Sequence, residues 1–195
     1  MSTRSLIAVE DMETGIVRSI YCHFDGYLEG VGKTLCEHWN DPLSVKELIN
    51  LGDLSQLGQE IGEKHAFDYH QEFYDKHKRP DQTFGTDHEA MQADPEFQRL
   101  RAMCLAYGRD RGETGVDPTS HANEDAYFEY GKESWAEYLY LYRQGVWLYA
   151  EPGGDAGPCI VRADDPNAEA ELIWRHVEGM LEIGEKPRRY AFASA

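Results

Sequence analysis

The chain is poor in basic residues and has no long apolar run, and each shortage excludes a class of protein. Its 195 residues include 19 Lys and Arg against 36 Asp and Glu, a formal net charge of -17. A surface this acidic repels nucleic acid backbones and anionic lipid, whereas it attracts basic partners. No run of 18 apolar residues occurs, and the N-terminal segment lacks the apolar core of a signal peptide. The sequence therefore predicts a cytoplasmic protein that binds neither membranes nor nucleic acid directly.

Cysteine is also scarce, and its spacing carries no motif. Cys22, Cys36, Cys104 and Cys159 show no CxxC pattern, so neither a zinc knuckle nor a redox pair is predicted. We interpret them as reduced, mostly buried thiols. No Ser or Cys stands in a recognised nucleophile motif either. The sequence names no catalytic residue and no cofactor, which favours a protein without enzymatic activity while leaving an enzyme open.

Histidines cluster in the middle of the chain without the spacing of a metal site. His70 and His77 lie seven residues apart, with His65 upstream, whereas tight two-histidine sites use a four-residue step. We therefore predict a polar, partly exposed helix there and no metal. His23 beside Asp25 is a candidate acid–base pair, but it has no nucleophile on its own face of the strand.

The order of the predicted elements indicates an α+β fold. Alternating apolar residues around a turn predict hairpins over residues 6–24 and 136–150, and helical spacing predicts helices over 28–39, 42–51 and 166–183. No βαβ alternation is present. We expect a single domain with an antiparallel β-sheet built from the two hairpins and packed by helices, plus a C-terminal helix.

Composition divides the chain into a core and two additions. Residues 1–150 form the predicted α+β core domain, within which residues 66–103 are a His-rich helical elaboration with two short helices. Residues 151–195 form an acidic extension that contains the C-terminal helix. For the first hairpin, Thr14-Gly15 as a two-residue turn places Ile7 opposite Cys22.

The second hairpin carries a stripe of aromatic residues. With Gln144-Gly145 as its turn, Tyr140 faces Tyr149 and Tyr142 faces Trp147. Two interpretations are open: the stripe is core beneath a helix, or it is an exposed interface for a basic partner. The full stripe is Tyr138, Tyr140, Tyr142, Trp147 and Tyr149.

The segment FDGYLEGVGKT, residues 24–34, resembles a phosphate-binding loop only in part. Such a loop needs four residues between its first glycine and the Gly-Lys pair, but five separate Gly26 from Gly32. A nucleoside triphosphatase is therefore not predicted. Two alternatives remain: amides and side chains of Gly30, Gly32, Lys33 and Thr34 hold an anion, or the glycines serve a tight turn.

A second candidate site is YGRDRGETG, residues 107–115. Arg109 and Arg111 are suited to bind a phosphate or carboxylate, since guanidinium groups hold such anions bidentately. Alternatively, they pair with the chain's own surplus carboxylates. If this segment meets the first loop, Lys33, Arg109 and Arg111 form an anion pocket for a nucleotide or another small ligand.

Negative charge is concentrated in the C-terminal half. Residues 113–185 contain sixteen Asp and Glu against four Lys and Arg. This surface is either simply solvated or suited to meet a basic groove. One acidic cluster supplies candidate interface residues, Asp164, Asp165, Glu169 and Glu171.

Four segments are similar to a group of small uncharacterised proteins of bacteriophages and prophages. They are SIYCHFDGYLEGVGKTLCEHW, LINLGDLSQLGQEIG, AYGRDRGE and the pair AEYLYLY and GVWLYA, and they span about residues 2–62 and 105–150. The group has no established activity, so the resemblance implies no catalytic residue. It implies an accessory protein of a mobile genetic element. The His-rich middle and the extension after Glu151 depart from the shorter members.

Charge and resemblance together predict a non-enzymatic acidic binding protein of a phage or mobile element. Its partner would be a basic surface of a host protein, such as a defence factor, which it would inhibit by competing with nucleic acid. A homodimer is left open. The alternative is a small-ligand or nucleotide-binding protein or enzyme that uses the anion pocket around Lys33, Arg109 and Arg111.

Overall fold

One mixed β-sheet with helices around it forms the fold, in a computed structural model that describes residues 2–79, 86–152 and the backbone of 175–176. The strands are β1 (Ser5–Glu10), β2 (Val17–Cys22), β3 (Leu54–Gln56), β4 (Leu105–Ala106), β5 (Thr119–His121), β6 (Tyr138–Arg143), β7 (Val146–Ala150) and β8 (Arg175–His176). The α-helices are α1 (Lys33–His38), α2 (Pro42–Asn50), α3 (Tyr69–Lys76), α4 (His88–Ala93), α5 (Pro95–Arg101) and α6 (Glu124–Glu133).

The two hairpins meet through a parallel pair of strands. The strand order is β4-β3-β2-β1-β6-β7-β8, and β5 pairs with the start of β2. β1 runs antiparallel to β2 but parallel to β6. The predicted α+β class is confirmed, whereas the predicted all-antiparallel sheet is wrong. A parallel pair needs a long connection, and residues 11–137, which include β2, connect β1 to β6.

The first hairpin is present with a longer turn than predicted. Ile7 lies opposite Ile20 instead of Cys22, so the register differs by two residues from the prediction. The turn spans residues 11–16, where the carboxylate of Asp11 accepts hydrogen bonds from two amides of the turn. This local bonding competes with a two-residue loop. A two-residue shift leaves every side chain on its predicted face of the sheet.

The second hairpin has the predicted register. Tyr140 lies opposite Tyr149 and Tyr142 opposite Trp147. Gln144 has φ 52° and the following glycine φ 83°. Positive φ at both central residues is the geometry of the turn that matches the twist of a two-residue hairpin.

Helix boundaries follow their capping residues in α2 and depart from the prediction before α1. The carboxylate of Asp41 accepts hydrogen bonds from two amides of the first turn of α2, Pro42 is its first residue, and Gly52 follows its end with φ 81°. The single helix predicted over 28–39 is instead a π-helical turn, Leu28–Gly32, followed by the shorter α1.

Helices cover both faces of the sheet. One core cluster contains Ile7, Ile20 and Tyr140 with side chains of α1 and α2. The cluster on the opposite face contains Leu6 and Leu139 with buried residues of α6. Alternation along each strand therefore fills two cores. A third cluster joins α3, α4 and α5, three helices where two were predicted, and consists of Tyr69, Phe73, Met91, Phe97, Leu100 and Leu105.

The acidic extension lies almost entirely outside the described residues. Of the helix predicted over 166–183, only residues 175–176 are described, and their backbone forms β8 beside β7. A helix is therefore wrong at these two positions. Among the described residues, no helix has both the length and the apolar character needed to cross a membrane.

Candidate functional site

Residues 24–34, which we call the first loop, use their own amides to close a turn. The amides of Gly30 and Gly32 donate to the Tyr27 carbonyl, and that of Lys33 donates back into the same turn. Thr34 Oγ1 also bonds inward, to the carbonyl of Gly30 at 3.0 Å. The amides of Gly30, Gly32 and Lys33 are therefore all bonded within the turn, and none remains for an anion. The geometry therefore supports the tight-turn alternative for this segment.

Gly30 is required by a close backbone approach. A Cβ at this position would lie 2.2 Å from the carbonyl oxygen of Asp25, which itself has φ 57°. We expect Gly30→Ala to lower the free energy of unfolding by about 1–3 kcal/mol, because overpacking of this kind forces the backbone to move. Urea denaturation measures the effect. Glu29→Ala, at the exposed neighbour, is the control, and an equal loss in both variants would contradict the explanation.

Arg109 is committed to internal contacts. Its Nε and Nη2 bond the carboxylate of Asp110 at 2.8 and 2.9 Å, and Nη1 donates to the carbonyls of Ile61 and Gly62 at 2.7 and 3.1 Å. Nη2 also donates to the carbonyl of Cys104. All five N–H groups are thus accounted for, so Arg109 is available for no external anion.

Each of the three predicted cations pairs with a carboxylate of the chain itself. Arg111 pairs with Glu113 at 3.0 Å and lies over the ring of Phe67, while Lys33 pairs with Glu37 at 3.7 Å. None of the three predicted cations lines the cleft described below, although Gly30 and Thr34 do. Arg109 therefore does not take part in the predicted anion pocket with Lys33 and Arg111. Internal pairing, the alternative left open by the sequence, describes both arginines.

The aromatic stripe is core. Tyr140, Tyr142, Trp147 and Tyr149 are buried, and Tyr138 is partly buried against them. Their polar atoms reach backbone carbonyls: Tyr140 Oη donates to Gly26 at 2.9 Å, Tyr142 Oη to Asn40 at 2.7 Å and Trp147 Nε1 to Trp39 at 2.7 Å. The stripe thus anchors the segment from the first loop to α1. The predicted interface on this face is corrected, because α1 and α2 cover it.

The histidines of the middle segment serve packing and local hydrogen bonds. His77 Nε2 and Lys76 Nζ contact the carboxylate of Asp94 at 3.0 and 2.6 Å, which links α3 to the start of α5. His70 Nε2 lies 3.3 Å from the Gln56 side chain. His23 bonds Tyr21 at 2.8 Å. Over the described residues, no group of His, Cys, Asp and Glu is arranged to hold a metal ion.

A cleft of about 740 Å³ separates the first loop from α3, α4 and α5. We call this cavity the cleft; it is lined by Phe24, Asp25, Tyr27, Glu29, Gly30, Val31, Thr34, Gln56, Leu57, Gly58, Gln59, His70, Tyr74, His88, Met91, Gln92, Phe97, Gln98, Arg101 and Ala102. Burial lowers the pKa of His70 from its usual value, Arg101 acts in the same direction, and Asp25 opposes them. Charges of both signs therefore act inside one cavity.

A second candidate site lies on the outer surface of α6. Asp125, Glu129 and Glu133 follow one another at four-residue steps and are exposed. Tyr130 is also exposed, and Trp135, just after the helix, is 79% exposed with φ 59°. We call these five residues the acidic aromatic face. It combines exposed aromatic rings with carboxylates. This combination was predicted for the aromatic stripe of β6 and β7 and instead occurs at α6.

Sequence reasoning missed both α6 and Arg101. A signal for α6 was present: Asn123 caps it by accepting a hydrogen bond from the Ala126 amide, acidic residues fill its first turn and Lys132 stands in its last. Arg101 had no local signal, because its position in the cleft depends on contacts between distant segments. Asp164, Asp165, Glu169 and Glu171 lie outside the described residues and stay predictions.

Comparison of the chain with protein-family models, with curated proteins and with solved structures finds no match. The resemblance to phage and prophage proteins therefore stays a prediction.

Proposed function

We propose that this protein is a non-enzymatic binding protein that meets a basic surface of a partner protein. The acidic aromatic face carries the proposal: Trp135 is 79% exposed just after α6, whose exposed residues include Tyr130 and three carboxylates. Burial of such a ring on binding is favourable, and interfaces are enriched in Trp and Tyr. The surrounding carboxylates select a partner of opposite charge and accelerate its association.

The resemblance to phage and prophage proteins supports a partner from a bacterial host. The net charge of -17 supports competition with nucleic acid for a basic groove, because the partner's groove attracts either polyanion. A protein of this kind inhibits a host factor, such as a defence component, by occupying that groove. The acidic extension, with its predicted cluster from Asp164 to Glu171, would add to the same attraction.

Removal of the acidic aromatic face is expected to weaken binding strongly. The variant combines Trp135→Ala with Asp125→Asn, Glu129→Gln and Glu133→Gln. Tagged protein is incubated with bacterial host lysate at low salt, retained proteins are identified by mass spectrometry, and the partner is purified. We expect a basic protein whose affinity falls about 30-fold or more in the variant, since central aromatic residues contribute 2 kcal/mol or more.

A second charge variant controls for the loss of three negative charges. Glu47, Glu72 and Glu89 are exposed on other helices, and their replacement by glutamine changes the net charge equally. We expect this variant to retain the partner. High salt should weaken the partner complexes of the wild type and of this control variant alike. Retention that survives removal of the face, or no retained protein at low salt, contradicts the proposal.

A further inference from the structure

The cleft holds charged groups of both signs that are not paired with each other. Asp25 and Glu29 belong to the first loop, and Arg101 ends α5. Within the part of the chain that the structure describes, none of these three forms an ion pair, although other cations of the chain find carboxylates. Arg101 Nη1 instead donates to the amide oxygen of Gln92 at 2.8 Å.

Residues 54–59 hold the two charged walls apart. On one side, the amide of Phe24 donates to the carbonyl of Ser55 at 3.1 Å. On the other side, Gln56 Nε2 donates to the carbonyl of Arg101 at 3.1 Å and the amide of Gln59 to that of Ala102 at 2.7 Å. The segment thus forms the floor of the cleft. Asp25 and Glu29 lie on one side, which we call the acidic wall, and Arg101 lies on the other.

Exposed aromatic rings occur at the same cavity. Phe24, Tyr27 and Tyr74 are among the exposed large hydrophobic residues, and all three line the cleft. Aromatic faces attract ammonium and guanidinium groups, and a guanidinium also stacks on them. The acidic wall carries two of these rings next to its carboxylates. It therefore has the groups that recognise an organic cation, while Arg101 has those that recognise a carboxylate.

We infer that the cleft binds a zwitterionic ligand with a guanidinium or ammonium group at one end and a carboxylate at the other. Asp25, Glu29 and the neighbouring rings hold the cationic end, and Arg101 holds the carboxylate. A ligand without net negative charge enters a protein of charge -17 without the repulsion that a nucleotide meets. Free arginine or lysine, and a peptide ending in either, share this chemistry.

This site is separate from the acidic aromatic face, because α6 contributes no residue to the cleft. Isothermal titration calorimetry of the full chain at low salt tests it with L-arginine and with the dipeptide glycyl-L-arginine. We expect saturable binding of at least one, and the tighter of the two identifies a free amino acid or a peptide end as the source. Agmatine, which lacks the carboxylate, and citrulline, which lacks the guanidinium charge, should bind about tenfold more weakly.

Two variants assign the ends of the ligand. Arg101→Gln is expected to remove the preference for L-arginine over agmatine. The double variant Asp25→Asn with Glu29→Gln is expected to remove the preference for L-arginine over citrulline. Lys46→Gln removes an exposed cation outside the cleft and should change neither preference. The inference is overturned if neither probe binds at up to about 10 mM, if both variants keep the wild-type preferences, or if AMP binds more tightly than L-arginine. Arg101→Gln should still bind the partner protein, because the acidic aromatic face is unchanged. Partner binding and ligand binding are therefore tested independently.

Discussion

Arg109→Gln is expected to lower the free energy of unfolding by about 3–5 kcal/mol, because it removes one partner of a buried ion pair. The side chain of Asp110 is 0% exposed, and that of Arg109 is 18% exposed. Besides the guanidinium, the carboxylate accepts hydrogen bonds from the amides of Ala106 at 2.7 Å and His65 at 3.2 Å. The variant leaves the carboxylate without its counterion and three carbonyls without their donors.

Arg111→Gln is the matched control, two residues away in the same segment. Arg111 is 56% exposed and pairs with Glu113, which is also exposed. A surface pair of this kind contributes about 0–1 kcal/mol. Urea denaturation of both variants measures the difference. Equal losses of stability would show that Arg109 is not an internal anchor, which would return it to the candidates for ligand binding.

Acid titration provides a second measurement of the same pair. Burial raises the pKa of Asp110, but the hydrogen bonds from Arg109 and from Ala106 outweigh it, so its pKa is lowered overall. A carboxyl group whose pKa is lower in the folded state stabilises the protein above its unfolded pKa, and the contribution is lost as pH falls through the folded value. The wild type should therefore lose stability below about pH 4. In Arg109→Gln, this part of the acid dependence should be shallower.

Trp147→Ala is expected to cost about 3–5 kcal/mol of stability, as large-to-alanine substitutions in a core do. Trp147 is 2% exposed, packs against Tyr142, and donates to the carbonyl of Trp39. Its loss opens a cavity under α1 and frees the chain segment that the indole holds. Thermal or urea unfolding monitored by circular dichroism measures the change.

Trp135→Ala makes the same chemical change at an exposed position. With 79% of its surface in water, the side chain contributes little to folding, and we expect a change within about 0.5 kcal/mol. Its effect should be on partner binding alone. A stable Trp147→Ala variant with weakened binding would show that the aromatic stripe is the interface after all and that the assignment of the two tryptophans must be exchanged.

Patterns that involve neighbours in the chain were predictable. Gln144-Gly145 specifies the turn of the second hairpin, and alternation along β6 and β7 specifies its register. Asp41 and Pro42 specify the start of α2. In each case a few adjacent residues determine the backbone angles, so the sequence contains the whole argument. In the first hairpin the predicted register was wrong by two residues, because the side chain of Asp11 forms a longer local turn.

The sequence by itself determined the α+β class, the acidic surface, the hairpins and the two alternatives for each candidate site. Only the tertiary structure decided between those alternatives. It turned Arg109 inward to Asp110, covered the aromatic stripe with α1 and α2, and brought Arg101 to a cleft whose other wall is the first loop. The physical reason is distance along the chain: burial and ion pairing depend on which remote segments the sheet brings together, and no local spacing encodes that.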